Sequence, residues 1–167
     1  MSRNRCFSTL AIFLTLIFIK IDLLAITDED MIKKSVIGYN MTLIESAKNP
    51  EFLKNFDDRK KLERFADRKV AQKLFIWIKS WHENNLYMDA RLKDISFGRI
   101  VSKNGNVSVI TDEVWLYRYF RVIGKNRIEE AYPPAKKIYK VKYTLKREKD
   151  SWKITNIDVF SEKEEKL

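Results

Sequence analysis

At "ENN", residues 83–85, the hydrophobic period of this chain changes, and that change restricts the folds open to it. Before it, apolar residues recur three and four apart, the spacing of one helix face. After it they tend to alternate, the spacing of one strand face. A chain that places helices first and closely connected strands second builds an α+β domain, with the helices gathered on one face of an antiparallel sheet.

The helical half opens with "TDEDMIKKSVIGYNMTLIESAK". Thr27 is a cap with Asp30 three residues on, and the acidic first turn suits the positive end of a helix. Ile32, Val36, Tyr39, Leu43 and Ala47 form its apolar stripe. Asn49 and Pro50 end that helix and start a short one over "PEFLKNF". Further on, Leu62, Phe65, Val70, Leu74, Trp77, Ile78 and Trp81 share a face, while Arg59, Lys60, Lys61, Arg68, Lys69 and Lys73 lie largely elsewhere. This predicts one long amphipathic helix, or two meeting near Asp67.

In the strand half, "LYMDARLKDISFGRIV" gains strand character towards its end, and "NGN" at 104–106 is a hairpin signal because asparagine and glycine tolerate positive φ. The β-favouring run "VSVITDEVWLYRYFRVIG" is long for one strand and predicts a bent or bulged sheet. Pro133 and Pro134 make "KNRIEEAYPPAK" a loop. "YKVKYTLKREKDSWKITNIDVF" is a closing hairpin turning at "EKD", and "SEKEEKL" is a charged tail. The expectation is a domain over 26–161 with N-terminal helices packed on a bent four-stranded antiparallel sheet, followed by a tail at 162–167.

Residues 1–25 are built differently. A basic "MSRNR" precedes the apolar "CFSTLAIFLTLIFI", which is shorter than the roughly 20 residues of a bilayer span. Ala25 offers a cleavage site, although Leu23 stands where a small residue is preferred. A removed signal peptide and a retained signal-anchor both remain open. Either places the domain outside the cytoplasm, in the periplasm or on the outer face of the cytoplasmic membrane. Cys6, the one cysteine, falls in this segment, so the exported part has no thiol for a disulfide, a zinc site or a nucleophile.

Tyr139, Val141, Tyr143 and Leu145, then Trp152, Lys153, Ile154, Ile157 and Val159, follow an aromatic strand and N-terminal helices. That pattern resembles the nuclear-transport-factor-2-like (NTF2-like) superfamily. With Trp81, "LYMDARLKDI" and "EVWLY" it is most similar to the intermembrane-space domains of chloroplast-division accessory proteins. The resemblance covers residues 28–161 and rests on packing residues. It implies a bent sheet wrapped around helices as a cone with a mouth able to hold a ligand. The superfamily includes isomerases, dehydratases, transport adaptors and secretion-system subunits, so the fold does not decide among functions. Its enzymes use an aspartate or histidine in the cone, and no position here matches such a motif.

His82, the one histidine, sits at a helix end, where a polar cap explains it without a reaction. No second histidine or cysteine remains to complete a structural metal set, and no cofactor is expected. Glycine-rich phosphate loops and nucleophile-elbow serines are absent from the sequence. Asp112 and Glu113 lie mid-strand and face opposite ways. Glu113 shares a face with Trp115, Tyr117 and Tyr119, either as an acid–base group in aromatic surroundings or as an ion-pair partner of Lys142. Tyr39, Trp77, Trp81, Glu113, Trp115, Tyr117 and Tyr143 form the candidate pocket, as core filling alone or as core plus a binding site.

The formal charge of +10 falls to about +8 without residues 1–25. Lys140, Lys142 and Lys146 form a candidate basic surface, and Arg59 to Lys73 add a second cluster. Such stripes are solvated faces or contacts for an anionic membrane or an acidic partner. Nucleic acid needs the same field but is not a partner expected of an exported domain. The expected function is an exported non-enzymatic domain binding a protein partner or envelope component. The alternative is a small isomerase- or hydrolase-type enzyme acting in the cone. Nothing in the sequence specifies an oligomeric state.

Overall fold

The structure, a computed structural model, describes residues 27–124 and 127–167. The proposed signal segment lies outside the described residues.

Helix α1, Asp28–Lys48, starts where the capping pattern places it. The Thr27 hydroxyl accepts from the Asp30 N–H at 3.1 Å, and the Asp30 carboxylate accepts from the Thr27 N–H at 3.3 Å. Asn49 then caps a 3-10 turn, Pro50–Leu53, by accepting from the Glu51 N–H. A second such turn, Phe56–Arg59, leads into the short α2, Lys60–Glu63. The long amphipathic stretch is therefore two helices. Asp67 separates them and caps α3, Arg68–Glu83, accepting from the Val70 N–H at 2.8 Å. Asn84 and Asn85 end α3, Asn85 with a positive φ of 56°.

Five strands follow: β1 (Leu86–Phe97), β2 (Val101–Lys103), β3 (Asn106–Ile123), β4 (Arg127–Glu148) and β5 (Ser151–Lys166). All pairs are antiparallel in the order β1-β3-β4-β5, with β2 also paired to β3. Four long strands form the expected sheet, and the three-residue β2 adds a fifth. The β2–β3 turn is Asn104–Gly105, both at positive φ, as "NGN" predicts. Register breaks at Leu92/Asp94, Tyr117/Tyr119 and Lys140/Val141 bend the sheet as the length of β3 predicts.

Two expectations change at the strand ends. "KNRIEEAYPPAK" is not a loop, because β4 runs through it from Arg127. Tyr117 pairs with Ala135 and Tyr119 with Tyr132, so Pro133 and Pro134 fall in the bulge between, where the ladder needs no N–H from them. The closing residues, read as a tail, continue β5: Glu162 to Lys166 pair with Tyr139 to Ala135.

α1 and α3 both begin at the β4–β5 hairpin end. Asp28 accepts from the Trp152 indole at 3.4 Å and pairs with Arg147, while the Asp67 N–H donates to Ile154 O at 2.8 Å. Their other ends meet where His82 Nε2 lies 3.1 Å from Ala47 O. Between helices and sheet, Val36, Leu53, Leu62, Val109, Leu145 and Ile154 are wholly buried. A second, smaller apolar group sits nearer the far end, around Ala47, Met88, Ala90, Trp115 and Tyr117. Gly38 lets Phe65 cross α1: a Cβ there would stand 2.3 Å from the ring. No helix among the described residues is long and apolar enough to cross a membrane.

Candidate binding site at the mouth of the sheet

Alternation along β3 puts Trp115, Tyr117 and Tyr119 on the concave face. Their rings stack in sequence, with centroids 5.8 and 5.9 Å apart and planes within 12°. Tyr119 then meets Trp81 of α3 at 5.5 Å and, edge to face, Tyr132 of β4 at 5.8 Å. Trp81 in turn packs on Trp77, four residues earlier on the same helix, at 5.5 Å. Such offset and T-shaped pairs suit the ring quadrupoles. The ladder begins buried, Trp115 being 3% exposed, and ends open, with Trp77 at 42% and Tyr132 at 50%.

Where the ladder surfaces, Trp81, Tyr119, Tyr132, Pro133 and Pro134 line a groove of about 440 Å³, closed on its polar side by Lys137 and Glu164. Lys137 lies 2.6 Å from Glu162 and 3.1 Å from Glu164. The hydrogen bond to Glu162 is the main reason its ammonium is held well above the usual lysine range. Burial raises the phenols of Tyr117 and Tyr119, and pushes Tyr139 up to about 12. The groove is thus aromatic and proline-lined, with Lys137, Glu164 and Lys166 on its rim. Behind it, Trp77, Trp81, His82 and Met88 enclose only about 10 Å³, near the volume one water needs.

Deeper inside lies a separate polar group. The Glu113 carboxyl, 2% exposed, accepts from Thr111 Oγ1 at 2.7 Å, Trp115 Nε1 at 2.8 Å and Tyr143 OH at 2.9 Å. Tyr143 also accepts from Asn40 Nδ2 at 3.2 Å, and burial holds its phenol well above the ordinary range. The register overturns the Lys142 partnership: Lys142 stands opposite Ile110, Glu113 stands opposite Tyr139, and Lys140 pairs at 2.8 Å with Asp112 on the outer face. His82 belongs elsewhere. Its ring stacks on Tyr87 and its Nε2 meets Ala47 O, while Nδ1 is buried without a partner among the described residues. Burial lowers its pKa below 6.5. No group of metal-ligating side chains occurs among the described residues.

The seven candidate pocket residues therefore divide. Tyr39, Glu113 and Tyr143 are enclosed in the core, whereas Trp115, Tyr117, Trp81 and Trp77 are successive parts of the ladder. Lys140, Lys142 and Lys146 alternate with buried Val141, Tyr143 and Leu145 and lie on the outer face of β4, an inner strand. Tyr132, Pro133, Pro134, Lys137 and Glu164 were missing from the sequence-based set. The prolines disguised the first three as loop. The signal available was "AYPPA" itself, an aromatic–proline run placed opposite the aromatic half of β3.

No protein-family model matches the chain, and no curated protein is similar to it in sequence. Among solved structures, the intermembrane space region of chloroplast protein ARC6 superimposes with a TM-score of 0.63 at 13% identity, covering 81% of this chain and 98% of that one. CagV, a VirB8 homolog of the type IV secretion system of Helicobacter pylori, gives 0.45 at 13% identity, over 74% and 95% of the two chains. The chain shares the α+β fold of the ARC6 region, with helices packed on an open antiparallel sheet.

Proposed function

We propose that this chain is an exported, non-enzymatic NTF2-like domain that takes a segment of a protein partner at the aromatic mouth. The carrying observation is the ladder from Trp115 to Tyr132, which leaves Tyr132 half-exposed at an open groove that Trp81 and Tyr119 also line, while the space behind it is filled. Aromatic side chains bury much area at low entropic cost and are enriched at the centres of protein interfaces. Lys137 is paired with Glu162 and Glu164 on the rim, so the groove favours a segment whose contacts are mainly apolar. Glu113 is engaged by three buried donors and His82 by Ala47 O, so the two do not form an acid–base pair. Export is supported by the basic and apolar N-terminal pattern, and by the likeness in fold to a domain described as an intermembrane space region.

The test is site-specific photo-crosslinking in cells of the source organism. A photoreactive residue replacing Tyr132 is expected to capture one discrete protein, and Trp81→Ala in the same chain is expected to abolish the product. Equal capture from a probe at Ile110 on the outer face, or no effect of Trp81→Ala, would overturn the assignment.

A further inference from the structure

Ala71, Leu74, Phe75, Ile78 and His82 bury one side of α3. The opposite side carries Lys69 and Lys73, and one turn further along it Ile76, 56% exposed, with Trp77 beside it. Elsewhere in the helical layer several lysines have an acidic partner: Lys33 pairs with Glu29, Lys54 with Glu51 and Lys61 with Asp58. Along α3, Asp67 is occupied in capping Val70, and the next carboxylate is Glu83 at the far end. Lys69 and Lys73 are like charges four apart on a helix, an arrangement that costs a few tenths of a kcal/mol.

We propose that the outward face of α3 docks on an anionic lipid surface. Cations reaching headgroup level, with an isoleucine and a tryptophan entering the interfacial layer, are the chemistry of a helix lying in a membrane plane. Charge complementarity selects an anionic surface, and the path of the chain selects lipid. Residues 1–26 join the domain at Thr27, at the end where α3 also begins, since Asp28 contacts Trp152 and Asp67 contacts Ile154. Only residues 20–26 separate the apolar run at 6–19 from that end, so a bilayer that retains the run comes within reach of the basic first half of α3. The groove at the mouth is lined by Trp81, Tyr119 and Tyr132 and not by Trp77, Ile76 or the α3 lysines, so this docking is independent of what the mouth binds.

The test uses the full chain with vesicles of phosphatidylcholine alone or mixed with phosphatidylglycerol, at low and high salt. Arg3, Arg5 and Lys20 beside the apolar run also favour the anionic vesicles, so the α3 face is read from the change in the ratio of affinities between variants. Each cation near an anionic leaflet contributes about 1 kcal/mol, so Lys69→Glu with Lys73→Glu is expected to reduce the ratio by about thirtyfold or more. Lys140→Glu with Lys142→Glu on the outer sheet face is expected to leave it unchanged. Brominated acyl chains in the anionic vesicles are expected to quench the intact chain and to quench Trp77→Phe markedly less. An unchanged ratio in the α3 variant overturns the proposal, as does equal quenching of Trp77→Phe. Binding of α3 to polyglutamate without any preference for anionic vesicles overturns it too and identifies an acidic protein as the partner. If charge reversal disturbs folding, Lys69→Gln with Lys73→Gln reads the same ratio.

Discussion

Replacing Glu113 with leucine tests whether its carboxyl is held by neutral donors, because none of its three partners is a cation. Two of those donors have an alternative: Thr111 Oγ1 lies 3.4 Å from Val141 O, and Tyr143 OH lies 3.3 Å from Asn40 Oδ1. Only the Trp115 indole is left orphaned. A buried unsatisfied donor costs about 1–3 kcal/mol, and exchanging two hydroxyl bonds for poorer ones costs about 0.5–1.5 kcal/mol each. The expected loss is about 2–6 kcal/mol in urea unfolding, a large part of the stability of an ordinary domain. Trp115→Phe alone removes the indole N–H and leaves the carboxyl one donor short. In the double variant neither group remains to be orphaned, so its cost is expected to fall below the sum of the singles by about 1–3 kcal/mol. Strict additivity would refute the reasoning, since Glu113 and Trp115 would then be buried side by side without depending on one another.

Trp152 is 7% exposed, and Trp152→Ala is expected to cost about 3–5 kcal/mol through lost burial and an unfilled cavity; an unchanged melting temperature would contradict the packing of the last hairpin. Gly38→Ala pushes a methyl group into the Phe65 ring and is expected to cost about 1–3 kcal/mol, with Phe65→Leu restoring part of it in a melting assay. His82 is the one histidine, so its ring titration is directly readable by NMR. Burial holds its folded pKa below 6.5, so its contribution is complete above that pH and is lost as pH falls through the folded value; His82→Phe is expected to flatten this limb of the stability–pH curve. Lys140→Glu with Lys142→Glu is expected to change stability by no more than about 1 kcal/mol, because the Lys140–Asp112 pair is exposed; a collapsed melting curve would show these lysines bear on folding.

The helix boundaries were legible because they are written in local chemistry. Thr27 with Asp30, Asn49 with Pro50, and Asp67 each place an oxygen or a proline at a helix start, and no distant residue alters that. The inward faces of β4 and β5 were legible from alternation, and the bend of the sheet from the length of β3. Register was not. Whether Lys142 or Tyr139 faces Glu113 depends on a count across two strands that bulges alter, and a slip of one residue reverses every side chain. Pro133 and Pro134 were misread for the same reason, since a bulge tolerates what a ladder forbids. The aromatic residues of the mouth were partly legible: Trp77, Trp81, Trp115 and Tyr117 were identified by type. Their order as a ladder, and the part of Tyr132 in it, required α3 and β4 to be placed against β3.

The sheet is a meander in its larger part, with β3, β4 and β5 each pairing with the next in the chain. Such pairings close short loops and form early, whereas contacts across most of the sequence are entropically costly and form late. Asp28 reaches Arg147 and Trp152 across nearly the whole domain, and the start of α1 is pinned by that contact. Asp28→Asn is therefore expected to leave the refolding limb of a denaturant chevron almost unmoved and to raise the unfolding limb. The lifetime of the native state then depends on its first helix, while the speed of acquiring it depends on the last two hairpins.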